Sequence, residues 1–401
     1  MLDFDEAQKR LSRAGPMPSA RERVSLDHAQ GRVLAAALTA EVDLPAADNS
    51  AMDGYAIRHA EARPGRRLPI QQRCYAGQMP EALRPGHAIR LFTGSLVPAG
   101  ADTVVMQEDC EESDNAVMVR ELPAAGSHIR PRGNDVARGR ELLSAGSLIG
   151  SAALALIASQ GFTAVDVWPL LRVGVLTTGD ELVQPGQPHR PEQVYDSNGP
   201  MLAALARGLG AQVVQVRHAV DTAESLNQAF ASLVPACDLV LTVGGVSVGE
   251  KDLVKPAIEN AGGTLDLWRV RMKPGKPVAL AHIGGTPIVC LPGNPVSAFA
   301  VFTLLVSPLI RAMQGRQPVM PVVHRAMLQT ERYFQGTREE FLRVRYTLPA
   351  QGPAALAPYP NQGSAVISSL PWASGLARIP ANTRVGPGDT VAYYDFHHWL
   401  T

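Results

Sequence analysis

The chain has 401 residues, more than one hydrophobic core usually serves, so two to four domains are expected. Hydrophobic residues make up 46% and charged ones 18%, a balance that excludes an intrinsically disordered chain. Thirty-seven basic residues offset thirty-seven acidic ones, so no global charge argues for nucleic acid or an anionic membrane as partner.

Cys74, Cys110, Cys237 and Cys290 lie far apart without a C-x-x-C pair, against both a disulfide framework and a zinc site. Cys290 lies in the apolar run 287–291 and reads as a buried small hydrophobe rather than a nucleophile. The stretch MLDFDEAQKR is acidic and amphipathic, unlike a signal peptide. The longest apolar run, 299–306, is too short to span a bilayer. A reducing, cytoplasmic setting is expected.

In chain order, residues 1–46 read as mostly helical, with Ser25 capping a helix through Leu26, Ala29, Val33 and Leu34. From 47 to 133 the texture changes to short, turn-bounded runs at 68–75, 88–93, 103–107 and 116–122, with a hairpin turn at 111–115. That is a small all-β module. Helix returns at Ser151, with Gly161 at its end, so the module reads as an insertion in a mainly helical domain of residues 1–46 and 134–170.

Residues 171–318 alternate strands and helices, which predicts a doubly wound, mostly parallel sheet with helices on both faces. Strands are expected at 172–177, 212–216, 239–243, 265–272, 278–282 and 288–291. Helices are expected at 199–209, from a capping box of Asp221 and Glu224 to Leu233, at 253–261, and from Asn294-Pro295 to Met313. Residues 319–401 revert to short strands broken by Gly and Pro, a second small β domain of barrel-like character. The fold class is therefore multidomain α/β plus β.

The run 238–252, DLVLTVGGVSVGEKD, carries the first chemical signal. A buried strand empties into Gly244, Gly245 and Gly249, placing backbone N–H groups at the carboxyl edge where open α/β sheets bind ligands. Glu250 and Asp252 would repel a phosphate there, at a cost of roughly 4 kcal/mol for like charges about 4 Å apart at an effective dielectric near 20. Mg²⁺ between acid and phosphate removes the conflict. Glu181 and Asp221 follow other strands to the same edge. Each acid taken alone reads as well as a cap or a solvated turn residue; their recurrence on one rim favours a function.

Of opposite sign are Lys273 and Lys276 on a proline-glycine turn, followed by Pro292, Asn294, Pro295 and Ser297 at a helix start. Lysines on a turn are usually solvated, but beside a helix N-terminus they make an oxyanion site reasonable. Asp53 and Thr93 read from physics alone as turn residues.

The segments SAMDGYA, LFTGSLVPAGADTVVMQED, RPRGND, TTGDEL, LTVGGVSVGEKD, MKPGKP and LPGNPVS occur in this order between residues 50 and 297. In them the chain strongly resembles the molybdopterin molybdenumtransferases, the MoeA and gephyrin E-domain family, and its α/β domain is MogA/MoaB-like. Phe341-Leu342-Arg343 and Asn361-Gln362-Gly363-Ser364 resemble the family's C-terminal domain less distinctively. Arg269 stands where some members carry lysine.

The resemblance implies an enzyme that takes adenylylated molybdopterin and molybdate as substrates, releases AMP with the help of Mg²⁺, and leaves molybdenum on the dithiolene. It assigns Glu181, Asp221 and Asp252 to the metal and the adenylate phosphate, with Asp53, Thr93 and Asp135 completing the catalytic pocket. Gly244, Gly245, Ser247, Gly249, Pro292, Asn294 and Pro295 would contact substrate, while Lys273, Lys276, Ser297, Arg343 and Ser364 would surround the oxyanion. It also implies a homodimer in which the inserted module of one subunit faces the α/β domain of the other. The pathway's adenylyltransferase is a possible partner, as well as the alternative identity; its fold resembles residues 171–315 alone, and the flanking domains argue against it. A non-enzymatic scaffold is the other alternative.

Overall fold

The computed structural model describes residues 1–245, 253–348 and 354–401, except for the side chains of Leu267 and Trp268. The chain forms two compact units. One comprises Met1–Ala36, Ala145–Ser151 and Ala164–Thr401; the other comprises Ala37–Ser144 and Ala152–Thr163.

The larger unit is built on a six-stranded sheet with the spatial order Gln212–Ala219, Arg172–Thr178, Leu239–Val243, Thr286–Leu291, Pro277–Ile283, Thr264–Arg269. The first four strands run parallel. The last two pairings are antiparallel, so Pro277–Ile283 runs against the other five; only Gly284 and Gly285 separate it from Thr286–Leu291. Their φ values of +56° and +88° suit the tight turn that only an antiparallel pair accepts.

Residues alternate between the two faces with the period of two that a strand imposes. Val173, Val175, Leu239, Leu241, Val289 and Leu291 pack on one side with Leu202, Ala206 and Leu309. Leu176, Val240, Ile288 and Cys290 pack on the other with Leu226, Phe230 and Ile258. Each such side chain contributes roughly 1.5–3 kcal/mol by burial, so the double-sided core holds the site's scaffold. Cys290 is buried, as its apolar run suggests.

The helix Pro295–Met313 has a mean hydropathy of 1.8 and is long and apolar enough to cross a membrane, but 94% of it is buried inside the unit as a core helix. Its middle, Phe302–Val306, is π-helical. The helix Ala223–Ala236 is capped by Thr222, whose hydroxyl accepts from Ser225 N, and not by Asp221 as the capping-box reading expects. That leaves the Asp221 carboxylate for the rim.

The helix expected after Ser25 is a single 3-10 turn, Leu26–His28. Glu22–Ser25 is instead taken up as a strand against Ala164–Val167, and Gly31 at φ +76° turns the chain again, so tertiary pairing overrides the local periodicity.

Strands His324–Leu328, Glu339–Thr347, Ala355–Pro358, Gly375–Ile379 and Thr390–Asp395 form a small closed barrel. Closure comes from Glu339–Thr347, which pairs with both Ala355–Pro358 and Gly375–Ile379.

The second unit contains a sheet ordered Thr103–Met106, Gly54–Ile57, Ala88–Leu91, Arg67–Cys74, Ala116–Val119, Cys110–Ser113. The turn expected over 111–115 narrows to Asp114 and Asn115, at φ +50° and +52°, and Cys110–Ser113 before it is strand. Helix Ser151–Ser159 begins where its sequence suggests, and Gly161 follows it at φ +83°.

Candidate active site

A cleft of about 720 Å³ opens in the larger unit, where the carboxyl edge of the parallel strands meets the barrel. Glu181, Lys273, Lys276, Pro292, Asn294, Pro295, Ser297 and Ser364 all line it, so residues spread over 184 positions of sequence converge as the motifs imply (364 − 181 + 1).

Beside the cleft wall at Gly293 the strand ends meet through backbone, and Gly244 and Gly245 do not themselves line the cleft. Gly244 has φ +97°, and a Cβ there would lie 2.5 Å from the Thr178 carbonyl oxygen, so only glycine lets the two strand ends approach. Gly244 N donates to Leu291 O at 3.3 Å, and Gly293 lies against the Gly244 Cα. Gly245 follows at φ +62°. Ser247, Gly249 and Asp252 lie outside the described residues.

The acids sit at the same edge. Asp221 Oδ1 accepts from Thr178 Oγ1 at 2.7 Å, and Asp221 N donates to Asp180 Oδ1 at 3.0 Å. The Glu181 carboxylate lies over Gly179, where a Cβ would be 2.6 Å from Oε2. Glu181 lines the cleft and Asp221 does not. Among the described residues, no three acidic, histidine or cysteine side chains converge as a metal site.

The cationic wall is organised differently from its sequence. The Lys273 ammonium is 2.8 Å from Glu340 Oε1, a carboxylate that is 14% exposed. Lys276 is exposed and makes no ion pair among the described residues, which leaves its charge directed at solvent and ligand. Gly275, at φ +105°, packs so closely on Val301 that a Cβ would fall 2.6 Å from its Cγ2, fixing the turn against the core. Asn294 does not cap the helix with its side chain; its Nδ2 donates to Ser364 Oγ at 3.4 Å across the cleft mouth. Pro295 occupies the first helical turn, and Ser297 is buried beside it.

Arg343 departs from its expected role around an oxyanion. It is fully buried, and its guanidinium is spent on Ser369 Oγ and on the carbonyls of Asn361, Gln362 and Gly363. Burial in this pocket lowers its pKa, so the carbonyl dipoles must hold the charge in place. It shapes the loop that carries Ser364 and does not line the cleft.

Arg338 and Asn198 are among the lining residues that escape sequence reasoning. Arg338 stands before Glu339–Thr347 and donates from Nη1 to Met272 O at 3.3 Å; its one signal is its place just ahead of Phe341-Leu342-Arg343. Asn198 donates to Gly293 O at 2.7 Å, while its Oδ1 is buried at the cleft wall with no hydrogen-bond partner among the described residues.

In the second unit the structure pairs Asp53 with Thr93. Both the amide and the hydroxyl of Thr93 donate to Asp53 Oδ1 at 2.8 Å. These bonds hold the Asp53 carboxyl below its ordinary pKa, with Arg90 adding a smaller pull. Asp135 is exposed in the same unit, its amide donating to Leu44 O at 3.0 Å.

Residues 2–161 match the MoeA N-terminal region (domain I and II), residues 174–312 the probable molybdopterin binding domain, and residues 325–396 the MoeA C-terminal region (domain IV). The chain is 33% identical over 404 residues to the molybdopterin molybdenumtransferase of Haemophilus influenzae, covering 100% of both chains. It is 36% identical over 386 residues to molybdopterin molybdenumtransferase 2 of Mycobacterium tuberculosis, covering 93% of this chain and 94% of that one. The crystal structure of the MoeA molybdopterin biosynthesis protein from Pyrococcus horikoshii OT3 superposes with a TM-score of 0.84 at 28% identity, covering 98% of this chain and 99% of that one. With matches to both terminal regions and the central domain, and full-length identity above 30%, the chain belongs to the MoeA family of molybdopterin molybdenumtransferases.

Proposed function

We infer that this cleft performs the family's transfer, taking molybdate and adenylylated molybdopterin and releasing AMP, as a step of molybdenum cofactor biosynthesis. The observation that carries the reading is the mixed charge lining one cleft, with Glu181 from the loop after Arg172–Thr178 and Lys273, Lys276 and Arg338 from the lysine turn and the segment before Glu339–Thr347. A helix N-terminus favours an anion by only about 0.3–1 kcal/mol, too little to strip a hydrated dianion of its water. Hydrogen bonds from charged donors contribute roughly 1.5–3 kcal/mol each. Lys276 and Arg338 therefore supply most of molybdate's affinity, and Lys273 supplies the part that Glu340 leaves over. Prolines 274, 277, 292 and 295 around these donors lower the ordering cost of binding.

The glycines that follow Leu239–Val243 would let backbone approach the adenylate phosphate, with the rim acids beside it. Mg²⁺ is proposed from the resemblance, with Glu181, Asp221 and Asp252 as its holders. Glu181 and Asp221 are the described members of that set, and among the described residues no group of three acidic, histidine or cysteine side chains forms a metal site. Asp53, Thr93 and Asp135 are proposed to act from the second unit, in a homodimer and in the cytoplasm. Incubation of the purified chain with adenylylated molybdopterin, molybdate and Mg²⁺ should release AMP and load molybdenum. If the chain instead makes adenylate from molybdopterin and ATP, it is the adenylyltransferase of the pathway; if it does neither, it is a scaffold.

A further inference from the structure

One face of the second unit carries an aromatic ladder that the transfer reading leaves unused. Arg90 lies between Arg73 and Tyr55 in cross-strand register. Its guanidinium carbon sits 4.8 Å from the Tyr55 ring centroid and 5.1 Å from that of Phe92. Tyr75 then stacks on Phe92 with centroids 4.5 Å apart and planes 7° from parallel. The ladder therefore runs Tyr55, Arg90, Phe92, Tyr75.

Its inner end is closed. Tyr55 is 4% exposed and donates its hydroxyl to Glu112 at 2.5 Å, and Glu112 is also held by Arg73. Arg90 is 8% exposed, gives one nitrogen to Gln107 Oε1, and keeps Nη1 buried with no hydrogen-bond partner among the described residues. The outer end is open, since Tyr75 is 50% exposed. Yet Tyr75 is not a loose surface ring. Its amide donates to Gln78 Oε1 and its carbonyl accepts from Gln78 N, closing a turn that holds the ring on Phe92. Thr93, next to Phe92, is the residue that binds Asp53.

A pre-ordered, half-exposed flat ring is what base-stacking proteins use, and a cation buried beneath the stack favours an electron-rich ring on top. We propose that Tyr75 and Phe92, backed by Arg90, form a stacking station for a planar fused nitrogen heterocycle of the pterin or purine type. The inference rests on the transfer reading, whose substrate contains one ring of each kind, and assigns one of them to this face. Single-base stacking on an aromatic side chain commonly changes affinity about tenfold or more on alanine substitution.

The test is calorimetric titration of the full chain with AMP and, separately, with a soluble reduced pterin. Tyr75→Ala should weaken one of the two ligands about tenfold and spare the other, which also tells the purine arm from the pterin arm. Tyr75→Phe should retain wild-type affinity, because stacking needs the ring and not the hydroxyl. Tyr346→Ala, which removes another exposed stacked tyrosine, should change neither. If wild-type protein binds a ring and Tyr75→Ala binds it equally well, the stacking station falls and the transfer reading stands. If wild-type protein binds neither ring, both fall. If Tyr75→Ala lowers the solution mass of the assembly and leaves both affinities intact, the face is a protein contact and the proposal is overturned.

Discussion

Arg343→Ala tests whether this residue acts through the loop it holds. The wild-type guanidinium donates four side-chain hydrogen bonds, to Ser369 Oγ at 2.9 Å and to the carbonyls of Gln362, Asn361 and Gly363 at 3.0, 2.9 and 3.0 Å. Four charge-assisted bonds at roughly 1.5–3 kcal/mol each would sum to far more than the substitution can cost, because burying the charge already costs several kcal/mol. What the alanine leaves behind is a cavity and three part-buried carbonyls without their donor, with water able to satisfy some of them. The expected loss is about 3–5 kcal/mol. For a unit the size of the barrel that lowers the midpoint of its thermal transition by more than about 10 °C. Below that transition, amide exchange in residues 361–364 should accelerate, and molybdate affinity should fall because Ser364 and the cleft wall move with the loop. Calorimetric unfolding, hydrogen exchange and molybdate titration of the same variant read these three effects. A transition within about 2 °C of wild type with unchanged exchange in the loop would refute the positioning role. A stable variant that loses molybdate binding alone would return Arg343 to direct oxyanion contact.

Four further outcomes follow from the geometry. Lys276→Ala should weaken molybdate at least tenfold, about 1.4 kcal/mol, without moving affinity for the adenylylated pterin, and titration of both ligands decides it; collapse of pterin binding alone would mean the two subsites are reversed. Glu340→Gln frees Lys273 from its 2.8 Å partner and should tighten molybdate binding, so a weaker constant would show the pair to be structural. Gly244→Ala forces a Cβ to 2.5 Å from Thr178 O at φ +97° and should destabilise the larger unit by more than about 1 kcal/mol, measurable by denaturant titration; a neutral result would contradict the close strand approach. Asp53 has a depressed folded-state pKa, so its bond to Thr93 is complete above the unfolded value of 3.8 and is lost only as pH falls through the lower, folded one. The Thr93 amide shift should stay flat from neutral pH down to that range, and titration at or above 3.8 would count against the assignment.

The sheet was legible because its strands are apolar on both faces and punctuated by glycine and proline, a pattern that survives any tertiary context. The order of the last strands was less so, since only the two-residue Gly284-Gly285 link reveals the reversal. Ser25 misled because a helix-like spacing of apolar residues can serve a strand pairing made with Ala164–Val167, in which Ser25 meets Ala164 139 positions away (164 − 25). The site's charges were readable, but their pairing was not. Nothing around Lys273 in sequence points to Glu340, and nothing in Phe341-Leu342-Arg343 says that the arginine faces inward. A buried arginine and a surface arginine look alike until the strand's alternation is fixed by its neighbours. Arg338 was missed for the same reason in reverse, as one more charge in a polar turn.

The lysine turn is woven into more than one sheet. Leu2 bridges to Val270 in parallel, with hydrogen bonds to Arg269 O and from Arg271 N. Met272 and Lys273 then pair with Glu339 and Glu340 at the rim of the barrel. The turn is thus a joint with members fixed to three separate parts of the chain, and it has no slack of its own. A replacement that shifts the barrel by a fraction of an ångström displaces the lysine ammonium groups by a comparable distance. Grafting this cleft onto another α/β scaffold would therefore fail if only its lining residues were transplanted. The first residues of the chain and the barrel strand Glu339–Thr347 have to travel with it.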